Sequence, residues 1–380
     1  VVYRRRVFEA AVLALLSALP LSLAALRAGR RPPSWRALLA APALFVALAA
    51  AGFALHRLHL SVWPYRPRND DRGLLTLASL LAHGFGVTLP LVALAAAAWS
   101  VRTKAPARAL ALSLGSLAAL GLSLDALVIE PSRLVERRYT VRSPRAPARG
   151  LTILHVSDLQ TDGPCRRERL AVEAAGRQLP DFVLFTGDLT NGLGPHDNAE
   201  DRVRAANTFL RGLRARYAVL AVYGDWDAWG DDWPVWERRI LEGTQAVMLY
   251  NRGETFELPD GRVTIYGGGG GGPNPVTVVP DLRGTDGLRV VMAHHPDALE
   301  EALVEGGHDL ALVGHTHGGQ VVLPFLGALV THTRGPFFGG RYTVKGAPFI
   351  VSRGIGMRGG VAPRVRFNCP PEIGWIRVTR

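Results

Sequence analysis

The stretch that decides the fold is Leu310-Ala311-Leu312-Val313, followed at once by Gly314-His315-Thr316-His317-Gly318-Gly319-Gln320. Four apolar residues closed by glycine read as a short strand buried on both faces. The strand then ends in two histidines one residue apart, beside glycines that let backbone come close. A single His-x-His is ordinarily a surface or core pair, so its meaning depends on what the other strands end in. Working outward, the apolar run 288–293 leads into His294-His295-Pro296-Asp297, and the run 218–223 into Gly224-Asp225-Trp226-Asp227. The run 182–186 leads into Gly187-Asp188, and the run 151–156 into Ser157-Asp158-Leu159-Gln160. Each strand ends in carboxylate or imidazole, and ligand sites in α/β sheets lie beyond the carboxyl ends of strands.

Further strands are expected at 263–266, 320–323 and 348–352, with helices at 166–178, 200–214, 233–242 and 297–304. Apolar strands alternating with helical stretches make residues 150–380 a layered α/β domain, long enough for its own core. Carboxylates forced together repel unless a cation sits among them. A donor set of carboxylate and imidazole suits Mn, Fe or Zn better than Ca.

The order Asp-x-x, Gly-Asp, Gly-Asp-Trp-Asp, His and Gly-His-x-His resembles the calcineurin-like metallophosphoesterase superfamily across essentially all of 150–380. Gly314 to Gln320, Ser352-Arg353-Gly354-Ile355-Gly356 and Pro371-Glu372-Ile373 resemble its bacterial branch with membrane-attached members. The resemblance implies a four-layer αββα sandwich carrying two divalent metal ions (Mn, Fe, Zn or Mg) at the strand ends, which activate water for attack on phosphorus. Carried over position by position, it implies Asp158, Gln160, Asp188, Asp225, His294, His315 and His317 as the metal set, with Asp188 bridging the ions. Asp188, Asp225 and Asp227 are the candidate catalytic residues. Arg353 is a candidate for binding phosphate.

Two positions depart from the pattern. Gln160 stands where the family has a histidine ligand, so that ion is held more weakly or is a harder one, Mg or Mn. In the third motif Asp225 replaces an asparagine ligand, and Trp226 replaces the histidine placed near the leaving group. Tryptophan cannot transfer a proton, and losing such help costs roughly 10²–10⁴-fold in rate. His196, His295 and Asp227 are the substitutes at hand.

The N-terminal third has a different composition. Residues 1–149 hold 20 Lys and Arg against 6 Asp and Glu, whereas 150–380 hold 24 against 26, so the net charge of +12 comes from the first third alone. Apolar stretches at about 7–26, 37–55, 74–99 and 109–129 each approach the ~20 residues that cross a bilayer, and arginine-rich breaks separate them. Buried soluble helices are the competing explanation. The expectation is a four-helix transmembrane region over 1–130, then a basic juxtamembrane linker over 131–149 that touches membrane lipids. Counting 13 Lys and Arg on one side against 7 on the other places the N-terminus and the α/β domain in the cytoplasm, on the inner membrane of a bacterial cell. The basic excess therefore argues for membrane topology and against a nucleic-acid partner. Two cysteines, Cys165 and Cys369, exclude a disulfide scaffold.

Four tryptophans, at 226, 229, 233 and 236, read either as an apolar lid over the site or as ordinary packing of a helix capped by Asp232. The six glycines 267–272 lack the Lys-Ser/Thr of a phosphate loop. Together these readings give a membrane-anchored hydrolase of a phosphate ester or pyrophosphate, its substrate a phosphorylated small molecule, lipid or nucleotide-lipid. A low-activity relative that binds or senses a ligand is the alternative, and a channel using Asp125 is a third.

Overall fold

A computed structural model describes residues 89–102, 104–161, 163–191, 199–227, 233–269, 277–328, 332–358 and 364–380. The chain divides into two compact units, residues 1–125 with 360–363 and residues 126–359 with 364–380.

In the first unit the described elements are α1, Leu89–Arg102, and α2, Pro106–Leu124. Helical structure runs on through a π turn, Asp125–Ile129, and a last turn, Glu130–Ser132. Ala109–Ser132 is, among the described residues, the one helix long and apolar enough to cross a membrane. At 1.5 Å per residue its 24 residues reach about 36 Å. Leu110, Leu114, Leu117 and Leu122 are exposed on it. The expected spans 7–26 and 37–55, and the first part of 74–99, lie outside the described residues, so a four-helix transmembrane region has support here from this one helix.

The second unit is built on two six-stranded sheets. The first contains β1 (Val135–Arg142), β2 (Leu151–Val156), β3 (Phe182–Phe185), β4 (Ala218–Ala221), β5 (Ala246–Met248) and β14 (Glu372–Thr379), in the order β1-β14-β2-β3-β4-β5. The second contains β6 (Arg252–Leu258), β7 (Gly261–Gly267), β8 (Leu288–Met292), β9 (Leu310–Val313), β12 (Gly340–Val344) and β13 (Ala347–Val351), in the order β12-β13-β9-β8-β7-β6. Strands β2 to β5 are parallel, as are β7, β8, β9 and β13, so their carboxyl ends gather at one edge of each sheet.

Side-chain alternation explains the layers. Ile153, Phe182, Leu184 and Leu220 meet Val263, Val290, Met292 and Leu312 in a core between the sheets. Their neighbours Leu154, Val183, Phe185 and Val219 face the other way, onto α3 (Arg166–Arg177), α4 (Ala199–Gly212) and α5 (Trp233–Leu241). On the far side Val291, Ala311, Val313 and Phe349 pack on Leu299 of α6 (Pro296–Ala302). Because both faces of each central strand are covered, the strands read as unbroken apolar runs. The α/β sandwich is thus ordered helix, sheet, sheet, helix.

The segment expected to be a linker departs from that expectation. Residues 135–142 form β1, an edge strand paired in parallel with β14. Its arginines face solvent while Val141 is buried, so the sequence shows an edge strand's charge and hides its one apolar face. The expected strand 320–323 shrinks to β10, Val322–Leu323, which pairs with β11, Gly327–Ala328, in a separate hairpin.

Candidate metal centre

The loops after β2, β3, β4, β8 and β9 converge. Their backbone is unusual: Asp158, Gln160, Asp188, His315, His317 and Gln320 all have φ between +40° and +69°. Left-handed conformations in non-glycine residues persist only where surrounding structure enforces them, and they concentrate at functional sites. Two glycines make the convergence sterically feasible. A Cβ on Gly224 would fall 2.1 Å from Asp188 Oδ1, and one on Gly314 would fall 1.9 Å from Ser157 Oγ.

Two overlapping groups of donors result, Asp158 with Asp188 and His294, and Asp225 with His294, His295 and His315. His294 Nε2 lies 3.5 Å from Asp188 Oδ2 and 3.2 Å from His315 Nδ1. His294 Nδ1 sits 2.7 Å from the Thr186 carbonyl. A carbonyl only accepts, so Nδ1 carries the proton and the Nε2 lone pair faces the cluster, the orientation a ligating histidine needs. Thr186 is itself held by His155, whose Nε2 lies 2.9 Å from Thr186 Oγ1, and burial pushes the His155 imidazole down to about 3. His317 Nε2 lies 3.4 Å from Asp158 Oδ1.

The structure thus brings Asp158, Asp188, Asp225, His294, His315 and His317 together and adds Gln160. The Gln160 Nε2 donates to Asp188 Oδ2 at 2.8 Å, and its buried Oε1 has no hydrogen-bond partner among the described residues. Both ring nitrogens of His317 are likewise buried without a hydrogen bond among the described residues. Buried polar atoms are almost always satisfied, so the Gln160 oxygen and the one unprotonated nitrogen of His317 are open donor positions of the kind a metal ion fills. The residues present therefore fit the divalent ions that the resemblance implies.

Electrostatics agree. Burial, opposed by His294 and reinforced by Asp188, pushes the Asp158 carboxyl up to about 7. Burial also works against Asp188, but the His294 charge and hydrogen bond outweigh it and lower that carboxyl. For Asp225 burial is likewise overcome, by hydrogen bonds to His295 and His315, and its carboxyl is held far below the usual range. His294 is pulled down by burial but raised well above its ordinary value by Asp188 and the other carboxylates. With no cation present, the cluster thus takes up protons to limit repulsion among its carboxylates.

Two groups differ from their sequence reading. Asp227 turns both oxygens to the backbone: Oδ2 accepts from the Asp188 and Gly224 amides at 2.8 and 2.9 Å, and Oδ1 from the Leu189 and Thr190 amides at 2.7 and 3.2 Å. It clamps the loop that carries Asp188. Arg353 extends toward Glu372, with Nε 3.8 Å from its carboxylate, and packs on Gly318.

His295 is the group that sequence reasoning undervalued. It was considered only as a proton carrier, yet its Nε2 lies 2.6 Å from Asp225 Oδ1, inside the second donor group, and its side chain is 28% exposed. The signal was its place beside His294. His332 also approaches, its ring centroid 6.1 Å from that of His315. His196, Trp229 and Asp232 lie outside the described residues. Trp236 is partly buried against the core under α5, as ordinary packing requires.

Residues 151–319 match the calcineurin-like phosphoesterase family. The chain is 29% identical over 276 residues to the uncharacterized metallophosphoesterase YkuE of Bacillus subtilis (strain 168), covering 69% of this chain and 92% of that protein. It is 27% identical over 241 residues to the uncharacterized metallophosphoesterase YkoQ of the same organism, covering 61% of this chain and 85% of that one. Over 142 residues it is 28% identical to the phosphodiesterase YaeI of Escherichia coli (strain K12), covering 36% of this chain and 49% of its relative. The family match begins with β2 and ends in the His-x-His loop, so it encloses the donor cluster. Residues 151–319 therefore resemble a calcineurin-like phosphoesterase domain, and with the relatives above that match supports a metal-dependent phosphoester hydrolase.

Proposed function

We propose that the chain is a membrane-anchored phosphohydrolase whose centre holds two divalent ions and cleaves the phosphate ester or pyrophosphate of a lipid or nucleotide-lipid at the cytoplasmic face of a bacterial inner membrane. The observation that carries the hydrolytic part is the open donor set: Gln160 Oε1 and one His317 nitrogen, buried without hydrogen bonds among the described residues, beside three clustered carboxylates. The apolar helix Ala109–Ser132 and the basic N-terminal third support the membrane part.

Asp158, Gln160, Asp188, Asp225, His294, His315 and His317 would hold the ions, which when bound supply acidified water and charge neutralisation at the phosphoryl oxygens. The chain's own residues do the rest. Thr186 fixes the His294 tautomer, Asp227 holds the Asp188 loop, and the Ser157 hydroxyl donates to Asp158 Oδ2 at 2.5 Å. Trp226 presents its backbone amide, 3.0 Å from Asp188 Oδ1, where the family's histidine would present a proton. His295, oriented by Asp225 and partly open to solvent, is the group placed to take over that proton.

The test is hydrolysis of bis(p-nitrophenyl) phosphate by the full chain in detergent, with Mn, Mg or Zn added and metal content measured on the same sample. Metal-dependent turnover that Asp188→Asn removes, together with bound metal, is the expected outcome. Bound metal with no turnover on any of several phosphate esters would instead make this a ligand-binding descendant of the fold. Undiminished activity in Asp188→Asn would refute the assignment of the centre.

A further inference from the structure

The hairpin after the His-x-His loop is built unlike the rest of the domain. Residues 321–330 read Val-Val-Leu-Pro-Phe-Leu-Gly-Ala-Leu-Val, ten apolar residues in a row. The apolar runs of β2, β3, β8 and β9 in the same domain are buried. Here β10 and β11 form a two-stranded sheet of their own, Val322 with Ala328 and Leu323 with Gly327. At the tip Pro324 is exposed, Leu326 is 78% exposed, and Phe325 is 108% exposed, more open than in a free peptide reference. Phe325 also sits at φ +68°, a strained value for a bulky side chain that turns the tip sharply. The base is held firmly: the Val322 amide donates to the Phe367 carbonyl at 2.9 Å, and Asn368 Nδ2 donates to the Val322 carbonyl at 3.4 Å. An apolar tip on a fixed base, kept out of its own core, marks an interaction surface.

Its occupant follows from two further features. From Leu310 to Pro371 the chain has seven Lys or Arg and no Asp or Glu, so the hairpin's own segment sets no carboxylate against an anionic headgroup. The same chain carries the apolar helix Ala109–Ser132, which ends three residues before β1 begins. On the membrane-anchored reading above, a bilayer is the apolar phase that this domain meets. We propose that the hairpin Val322–Ala328 dips into the headgroup–acyl boundary of an anionic bilayer and sets the metal centre against the lipid surface. Phe and Leu at the tip reach the depth of roughly 5–10 Å typical of interfacial segments. The hairpin starts five residues after His317, so the group that anchors to lipid and the group that serves the centre move together. The substrate phosphoester is then one borne on a lipid headgroup. This last step rests on the hydrolase reading above, and the insertion rests on the membrane-anchored reading alone.

The test uses the full chain in phosphatidylcholine–phosphatidylglycerol vesicles. Spin labels are placed at Phe325→Cys and, as a control, at Lys345→Cys in the exposed turn between β12 and β13, each in a Cys165→Ser background; Cys369 is buried. The Phe325 label is expected to collide more with oxygen than with an aqueous nickel complex, and the Lys345 label the reverse. Equal access of the nickel complex to both sites would overturn the insertion. Dipolar broadening at the Phe325 label that is the same in vesicles and in detergent would also overturn it, by naming a second copy as the occupant. A second arm compares Phe325→Asp/Leu326→Asp with wild type on an alkyl p-nitrophenyl phosphate held in vesicles and on soluble bis(p-nitrophenyl) phosphate. A fall of about tenfold on the vesicle substrate alone is expected from loss of two apolar anchors. Equal loss on both would reduce the hairpin to a structural part. No turnover of either by wild type would sink the hydrolase reading, while the labels still decide the hairpin.

Discussion

Asp227→Asn separates a loop clamp from a catalytic carboxylate. In the native chain four backbone N–H groups, those of Asp188, Leu189, Thr190 and Gly224, converge on the two oxygens at 2.7 to 3.2 Å. Burial and the Asp188 charge push this carboxyl up to about 7, while the amide of Gly224, the His294 charge and the amide of Thr190 pull it back. Asparagine keeps one oxygen, so two of the four donors face an amide NH₂ that cannot accept. Each buried donor left without an acceptor costs about 1–3 kcal/mol, and local relaxation recovers part of it, giving a net loss of about 3 kcal/mol. That figure is within the stability of an ordinary domain, so the protein still folds. The loss is local, and hydrogen exchange reads it directly: peptides covering 186–191 should exchange roughly 100-fold faster in the metal-free protein. Exchange elsewhere, in β8 for example, should be unchanged. Metal retention should weaken with it, because the Asp188 loop is no longer held. Native protection across 186–191 combined with lost turnover would refute the clamp and return Asp227 to the chemistry.

Gly224→Ala should abolish metal retention and leave the sheets intact, since its Cβ would fall 2.3 Å from the Asp188 amide nitrogen as well as on the carboxylate; metal content alongside a native circular dichroism spectrum checks this. Metal affinity should also depend on pH in a defined direction. The Asp158 carboxyl of the metal-free site is raised to about 7 and must lose its proton to ligate, so apparent affinity for Mn should fall by about tenfold per pH unit below 7 and flatten above it. The sign for stability is opposite: a raised carboxyl favours the metal-free fold at low pH, and that contribution disappears as pH rises through about 7. Metal should therefore raise the melting temperature more at pH 8 than at pH 6, and an increment independent of pH would refute the assignment.

What the sequence reveals of this protein follows from how each strand is buried. β2, β3, β8 and β9 were legible because both faces are covered, so every position is apolar and the run stops where the site begins. β1 was not, because Glu136, Arg137 and Arg138 face solvent and only Val141 is buried. Its pairing with β14 spans more than two hundred residues of chain, a contact that no local pattern encodes. β14 itself, Glu372–Thr379, is apolar and was passed over because its opening residues were read as a motif. At the site, residue types were legible from strand ends and roles were not. Asp188 and Asp227 both follow strands beside glycine, yet one faces the donor cluster and the other faces four amides. That difference is set by where the carboxylate points after the turn, which depends on the partner loop.

The same reasoning accounts for the two departures at the centre as a linked change. Gln160 spends its amide nitrogen on Asp188 Oδ2, so only the oxygen is left to face an ion. In the proposed centre this exchanges an imidazole nitrogen for a neutral oxygen. Asp225, where the family has a neutral amide, adds an oxygen with a full negative charge. The first change would replace a nitrogen donor by oxygen and the second a neutral oxygen by a charged one, and both would favour harder ions such as Mn and Mg over Zn. The added charge would also increase repulsion with Asp188, but His295 and His315 stand 2.6 and 3.2 Å from the Asp225 oxygens and offset it. Since Trp226 cannot donate a proton from its side chain, the carboxylate that hardens the centre is also the one that orients the remaining partly exposed imidazole of the pair His294-His295. On that proposal one substitution pattern bears both on which ion would be held and on which side chain would move the proton, because Asp225 takes charge relief from His295 and His315 together and in turn orients His295.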